Sequence, residues 1–121
     1  MLNCLCVGIG GFFGSILRYL VGLVPVNPSN GFPVKTLVIN VLGAFALGLI
    51  AAIAAKNTNM SEPVVLMLKV GVCGGFTTFS TFAYEATNLM QNGSTGLGIA
   101  YMLLSMVLGV CAIILAQMLI N

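Results

Sequence analysis

Asn40 stands alone among apolar neighbours, between Leu37-Val38-Ile39 and Val41-Leu42, and Thr36 lies four residues before it. Positions four apart share one helix face. A carboxamide on such a face offers two N–H donors to an anion that has shed water. It serves equally as a hydrogen bond between helices, worth ~0.6 kcal/mol on average in a measured membrane protein. Tyr101 and Ser105 repeat the spacing, with Gly109 next on the same face. Phe79 and Phe82 are three apart. They can turn ring edges, the positive part of the aromatic quadrupole, toward an anion, although packing is the commoner use of that spacing. Arg18, the one guanidinium of the chain, either reaches out to lipid headgroups or lines a wet vestibule and raises the local anion concentration.

The densest polar segment is Gly71-Val72-Cys73-Gly74-Gly75-Phe76-Thr77-Thr78-Phe79-Ser80-Thr81-Phe82, three glycines and four hydroxyls inside an apolar run. Adjacent glycines followed by hydroxyl residues predict a broken helix. In lipid a break survives only where protein or a water-filled cavity satisfies the freed backbone groups, and broken helices recur where backbone dipoles meet ions. The competing use is a helix kinked for close packing through the small pair Gly71 and Gly75.

Positioning these residues takes membrane-spanning helices. The chain has 121 residues, 60% of them hydrophobic and 5% charged, against about a quarter charged in a soluble domain. About 20 helical residues cross ~30 Å of hydrocarbon. Four such stretches use nearly the whole sequence, at about 2–24, 34–55, 63–90 and 96–120, so one all-α transmembrane domain is predicted. The first stretch lacks a basic leader and a cleavage site and reads as a retained helix. Pro25-Val26-Asn27-Pro28-Ser29-Asn30-Gly31, Lys56-Asn57-Thr58-Asn59 and Gln91-Asn92-Gly93-Ser94 are the turns between stretches.

A net charge of +2 without clustered basic residues excludes a nucleic-acid partner. Histidine is absent, which removes the usual proton shuttle and the commonest metal ligand. Cys4, Cys6, Cys73 and Cys111 form no CxxC pair and are expected to be small buried hydrophobes. With four spans, Lys56 and Lys69 belong to the side that holds both termini, Arg18 and Lys35 to the other. Orientation follows the Lys/Arg imbalance. Two against two gives none, so insertion both ways and an antiparallel dimer are predicted.

Three blocks carry a family resemblance: Gly10-Gly11-Phe12-Phe13-Gly14-Ser15-Ile16-Leu17-Arg18-Tyr19, Thr36-Leu37-Val38-Ile39-Asn40-Val41-Leu42-Gly43, and the Gly71 to Phe82 segment. Together they resemble the signature of the Fluc (CrcB) family of fluoride channels. The resemblance implies a dual-topology antiparallel homodimer in a prokaryotic inner membrane, with the third helix broken mid-membrane and two fluoride pores at the interface. It implies a structural sodium ion at the dimer centre, held by the backbone carbonyls of Gly74 and Thr77. It further implies Asn40, Phe79 and Phe82 as pore residues, with Thr36 also on the pore, a hydroxyl track that includes Thr81, Tyr101 and Ser105, and Arg18 in the vestibule. Gly109 stands where some relatives continue the track with a serine, and Ser15 replaces a commoner alanine.

The function implied is passive export of cytoplasmic fluoride, with no enzymatic step and no organic cofactor. The chain has no nucleotide motif such as GxxxxGK[ST]. A small multidrug exporter, also a four-helix dual-topology dimer, needs a membrane-embedded carboxylate that the first span lacks; Glu62 and Glu85 lie near span ends. A purely structural subunit has no use for a broken polar span.

Overall fold

The computed structural model describes residues 1–121 and is all-helical. Four helical segments are long and apolar enough to cross a membrane: Leu2–Gly22, Val34–Lys56, Glu62–Gln91 and Thr95–Ile120. Helix α1 (Leu2–Gly22) stops two residues before the predicted end, and α2 (Val34–Lys56) runs one residue longer than predicted. The last span, α6, is Thr95–Ile120.

The third span is built from four pieces. Helix α3 (Glu62–Leu66) starts with Pro63 in its first turn, where a missing N–H costs nothing. Met67–Cys73 then winds as a π-helix, and α4 is a single turn, Gly74–Phe76. Thr77 and Thr78 are extended, with ψ of 159° and 120°. Helix α5 (Phe79–Gln91) resumes with Thr78 as its cap, the Thr78 side chain accepting from the Thr81 N–H at 3.3 Å. The interruption therefore lies at the threonines, just after the glycines. At the far end Gly93 has φ +87°. The Ser94 N–H bonds the Leu89 carbonyl and the Gly93 N–H bonds that of Met90, the paired bonds that close a helix on a left-handed residue.

The glycines before the break serve packing. A Cβ on Gly14 would strike the Val72 carbonyl oxygen and lie 2.9 Å from the Phe76 nitrogen; one on Gly75 would lie 2.8 Å from the Gly11 carbonyl oxygen. Helix α1 and the first half of the third span thus meet backbone to backbone, along a glycine face from Gly10 to Gly14 and another from Gly71 to Gly75. Small residues permit such approach in lipid, where no hydrophobic force pulls helices together. The close packing expected through Gly71 and Gly75 is present, and the break follows it at Thr77 and Thr78. Helix α2 meets α6 similarly, with Gly48 against the Ile113 backbone.

Of the cysteines expected to be buried, only Cys73 is; Cys4 and Cys111 are exposed and Cys6 is half-buried. The chain is too thin to enclose outward faces of its helices, so an apolar residue there faces lipid rather than a core.

Candidate functional site

Thr78, the second threonine of the break, is fastened to α2 by Asn40. Its Nδ2 donates to the Thr78 carbonyl oxygen at 3.0 Å, and the Thr78 N–H donates to its Oδ1 at 2.8 Å. The carboxamide thereby replaces the backbone partners that Thr78 would have in a continuous helix. One Nδ2 hydrogen remains for another acceptor.

The rerouting leaves two specific carbonyls without their helical donors. The Gly74 oxygen would accept from the Thr78 N–H, which is given to Asn40. The Thr77 oxygen would accept from the Thr81 N–H, which is given to the Thr78 side chain. Neither helical bond forms. The Gly75 carbonyl accepts instead from Arg18 Nε at 3.1 Å. A cation at the C-terminal end of a helical piece meets the negative end of its dipole. Arg18 is thus turned inward.

On the α5 side of the break, Thr78, Thr81, Glu85, Asn88 and Asn92 recur at alternating intervals of three and four, one face of the helix. They line a cavity of about 600 Å³ that also receives Arg18, Lys35 and Thr36. Within it Glu85 Oε2 accepts from the Thr36 hydroxyl at 3.0 Å, and Oε1 accepts from the Tyr101 hydroxyl at 3.2 Å. Glu85, placed near a span end from the sequence, faces inward and organises two of the expected pore residues. Their protons are committed to it. The stripe of polar residues at helical spacing was the signal for Glu85.

A second cavity of about 390 Å³ lies beyond the break, among Asn40, Gly43, Thr77, Phe82 and Ser105. Thr78 lines both cavities. Phe82 stands between Phe79, ring centroids 5.9 Å apart, and Tyr101, 5.1 Å away and edge to face. Tyr101 is fully buried and packs on Phe32 as well. Ser105 lines this cavity, and its Oγ is buried without a hydrogen-bond partner, so its proton is uncommitted. Phe79 is 79% exposed on the outer face of the chain. Thr81 lines the first cavity only, and Gly109 lines neither.

Gly74 is exposed, and nothing lies within 4 Å of a Cβ built on it. Gly74 and Thr77, whose carbonyls are freed, both line the second cavity. Oxygen donors of this type suit a hard monovalent cation, and one chain supplies only two of them.

A family model described as CrcB-like protein, Camphor Resistance (CrcB), matches residues 5–117. A protein of Chlorobaculum tepidum named Fluoride-specific ion channel FluC is 48% identical over 93 residues, 77% of this chain and 74% of that one. Proteins of the same name from Ruminiclostridium cellulolyticum and Agrobacterium fabrum are 39% and 40% identical, over 98% and 93% of this chain and 92% and 91% of theirs.

Proposed function

This chain belongs to the CrcB family, and on that premise we propose that it is a passive, fluoride-selective channel through which cytoplasmic fluoride leaves the cell. One observation carries the reading. The break in the third span brings two cavities together at Thr78, and beyond it Ser105 Oγ and the second N–H of Asn40 are donors without acceptors.

Fluoride is small and strongly hydrated, so a pore must replace much of its water shell with donors while refusing larger halides. Arg18 draws anions into the first cavity. Past Thr78 the Asn40 amide and the Ser105 hydroxyl replace water, and the edges of Phe79 and Phe82 form a dry, weakly positive wall. Such contacts hold the ion loosely enough to release it. Direction follows gradient and voltage. Hydrogen fluoride enters cells as a neutral acid and ionises in a less acidic cytoplasm, and the anion exits through the channel. The protein is a channel and not an enzyme.

The working unit of the proposal is an antiparallel homodimer in the prokaryotic inner membrane. Exposed Phe79 and the freed carbonyls of Gly74 and Thr77 support it, because lipid cannot satisfy backbone groups and a second copy can. The same carbonyls from both copies would hold a structural sodium ion, which supplies fixed positive charge joining the two broken spans. Thr36, Thr81, Tyr101 and Ser105 form the hydroxyl track, with Thr36 and Tyr101 held by Glu85. A drug-proton exporter is disfavoured, since the inward carboxylate of Glu85 is already engaged by two hydroxyls.

Fluoride efflux from liposomes containing the purified protein tests the reading, with chloride as control. Rapid fluoride efflux without a proton gradient or ATP is expected. Chloride flux of similar size, or strict proton coupling, overturns it.

A further inference from the structure

Lys69 is the cation that neither the fold nor the pathway has yet explained. It lies seven residues inside the third span, in the π-helical stretch Met67–Cys73. A lysine within a span is costly to insert unless its ammonium group reaches water or a partner. The three other basic side chains each bond a backbone carbonyl: Arg18 that of Gly75, Lys35 that of Gly22, Lys56 that of Ile120. Lys69 has no such partner.

Its direction follows from the packing of its neighbours. Met67 and Gly71 turn toward α1, where their backbones touch Gly10. Lys69 is two residues from each, so it points away from α1. There it lines the second cavity with Asn40, Phe82 and Ser105, and no acidic residue lines that cavity. Ser105, whose buried Oγ has no hydrogen-bond partner, lines the same cavity. Lys69 and the spare Asn40 N–H, around a cavity that no carboxylate lines, form a site for an external anion, apart from the freed Gly74 and Thr77 carbonyls on its exposed side, which suit a cation. Arg18 occupies the corresponding role in the first cavity, and the two cavities meet at Thr78.

We propose that Lys69 is an affinity-determining residue of this channel: its ammonium group makes the second cavity an anion-holding position on the far side of the break from Arg18. The inference rests on the channel reading. A fixed charge beside a narrow, poorly screened cavity raises the local concentration of anions there. It lowers the fluoride concentration at which flux saturates, and it makes that concentration depend on ionic strength.

The test is fluoride efflux from liposomes over a range of fluoride concentrations, at low and high potassium sulfate, for the wild type, Lys69→Met, Lys69→Gln and Lys69→Arg. Lys69→Met and Lys69→Gln are expected to raise the half-saturating fluoride concentration on the order of tenfold and to flatten its dependence on sulfate. Lys69→Arg is expected to stay near the wild type. Loss of one lysine also biases membrane orientation, but this changes the number of active channels, hence maximal flux, and leaves half-saturation alone. Half-saturation within twofold of wild type in the conducting neutral variants overturns the proposal and leaves the channel reading standing. If neither neutral variant assembles while Lys69→Arg does, the side chain is structural and the proposal is again overturned. A wild type that passes no fluoride removes the channel reading itself, and this inference with it.

Discussion

Asn40 and Thr78 lie 38 residues apart in sequence and exchange two hydrogen bonds, at 3.0 and 2.8 Å, so a side chain of α2 completes the backbone of the third span where its helix stops. The pair makes the break a defined conformation and holds the remaining amide hydrogen at the junction of two cavities. A single amide therefore connects the integrity of the break with the chemistry of the pathway.

Asn40→Asp replaces the donor facing the Thr78 carbonyl with an oxygen and retains the acceptor for the Thr78 N–H. Leaving such a group unpaired costs ~1–3 kcal/mol. Fluoride flux is expected to fall by at least about tenfold, since 1.4 kcal/mol corresponds to a factor of ten. The variant is still expected to elute as an assembled species in size-exclusion chromatography. Near-normal flux would reduce Asn40 to a fastening for the break.

Ser105→Ala separates a pore donor from structural glue. Its hydroxyl is buried without a partner, so removing it breaks no bond and relieves a desolvated group. Thermal stability in detergent is expected to hold or rise, while fluoride flux drops by at least about tenfold, the loss of one hydrogen bond of ~1.5 kcal/mol or more to a charged ion. A destabilised variant with unchanged flux would assign Ser105 to packing.

The glycine contacts between α1 and the third span make a contrast within one helix. Gly14→Ala places a methyl group against the Val72 carbonyl, whereas nothing lies within 4 Å of a Cβ at Gly8. Overpacking of this kind costs ~1–3 kcal/mol. Gly14→Ala is expected to lower the melting temperature by several degrees, and Gly8→Ala to leave it unchanged or raised, as alanine favours helix. Equal melting temperatures would contradict the close approach.

Sodium is expected to stabilise the assembled protein more than potassium does. The freed carbonyls of Gly74 and Thr77, doubled by a second copy, make a compact oxygen site. An ion that binds only the assembled state favours it by mass action. Dimer stability measured by dilution in detergent tests this, and indistinguishable curves in the two salts would remove the site.

Basic residues divide two against two between the sides of the membrane, so a few added lysines dominate orientation. Two or three at the C-terminus are expected to direct both termini to the cytoplasm, and the same addition in the Val26 to Phe32 loop to reverse this. Each biased chain alone is expected to confer little fluoride resistance on cells, and the two together to restore it. Full resistance from one strongly biased chain would eliminate the antiparallel dimer.

The length and apolar composition of four stretches in the sequence located the four helical spans to within two residues, because a backbone in lipid has almost no alternative to a helix. The interruption of the third span was legible for the same reason: glycines and hydroxyls crowd where leucine would otherwise stand. What the sequence left open was which face each polar residue takes. Lys69 counted only as a topology charge until its neighbours were seen to press their backbones on α1, which turns it toward the second cavity. Glu85 counted as a residue near a span end, yet it holds the hydroxyls of Thr36 and Tyr101. These partners come from α2 and α6, 49 and 16 residues away, and no local pattern records such a distance. Hydropathy is a property of single residues summed along a segment, and the sequence states it in full. A hydrogen bond depends on the separation and angle of two groups, and these exist only once the helices have packed.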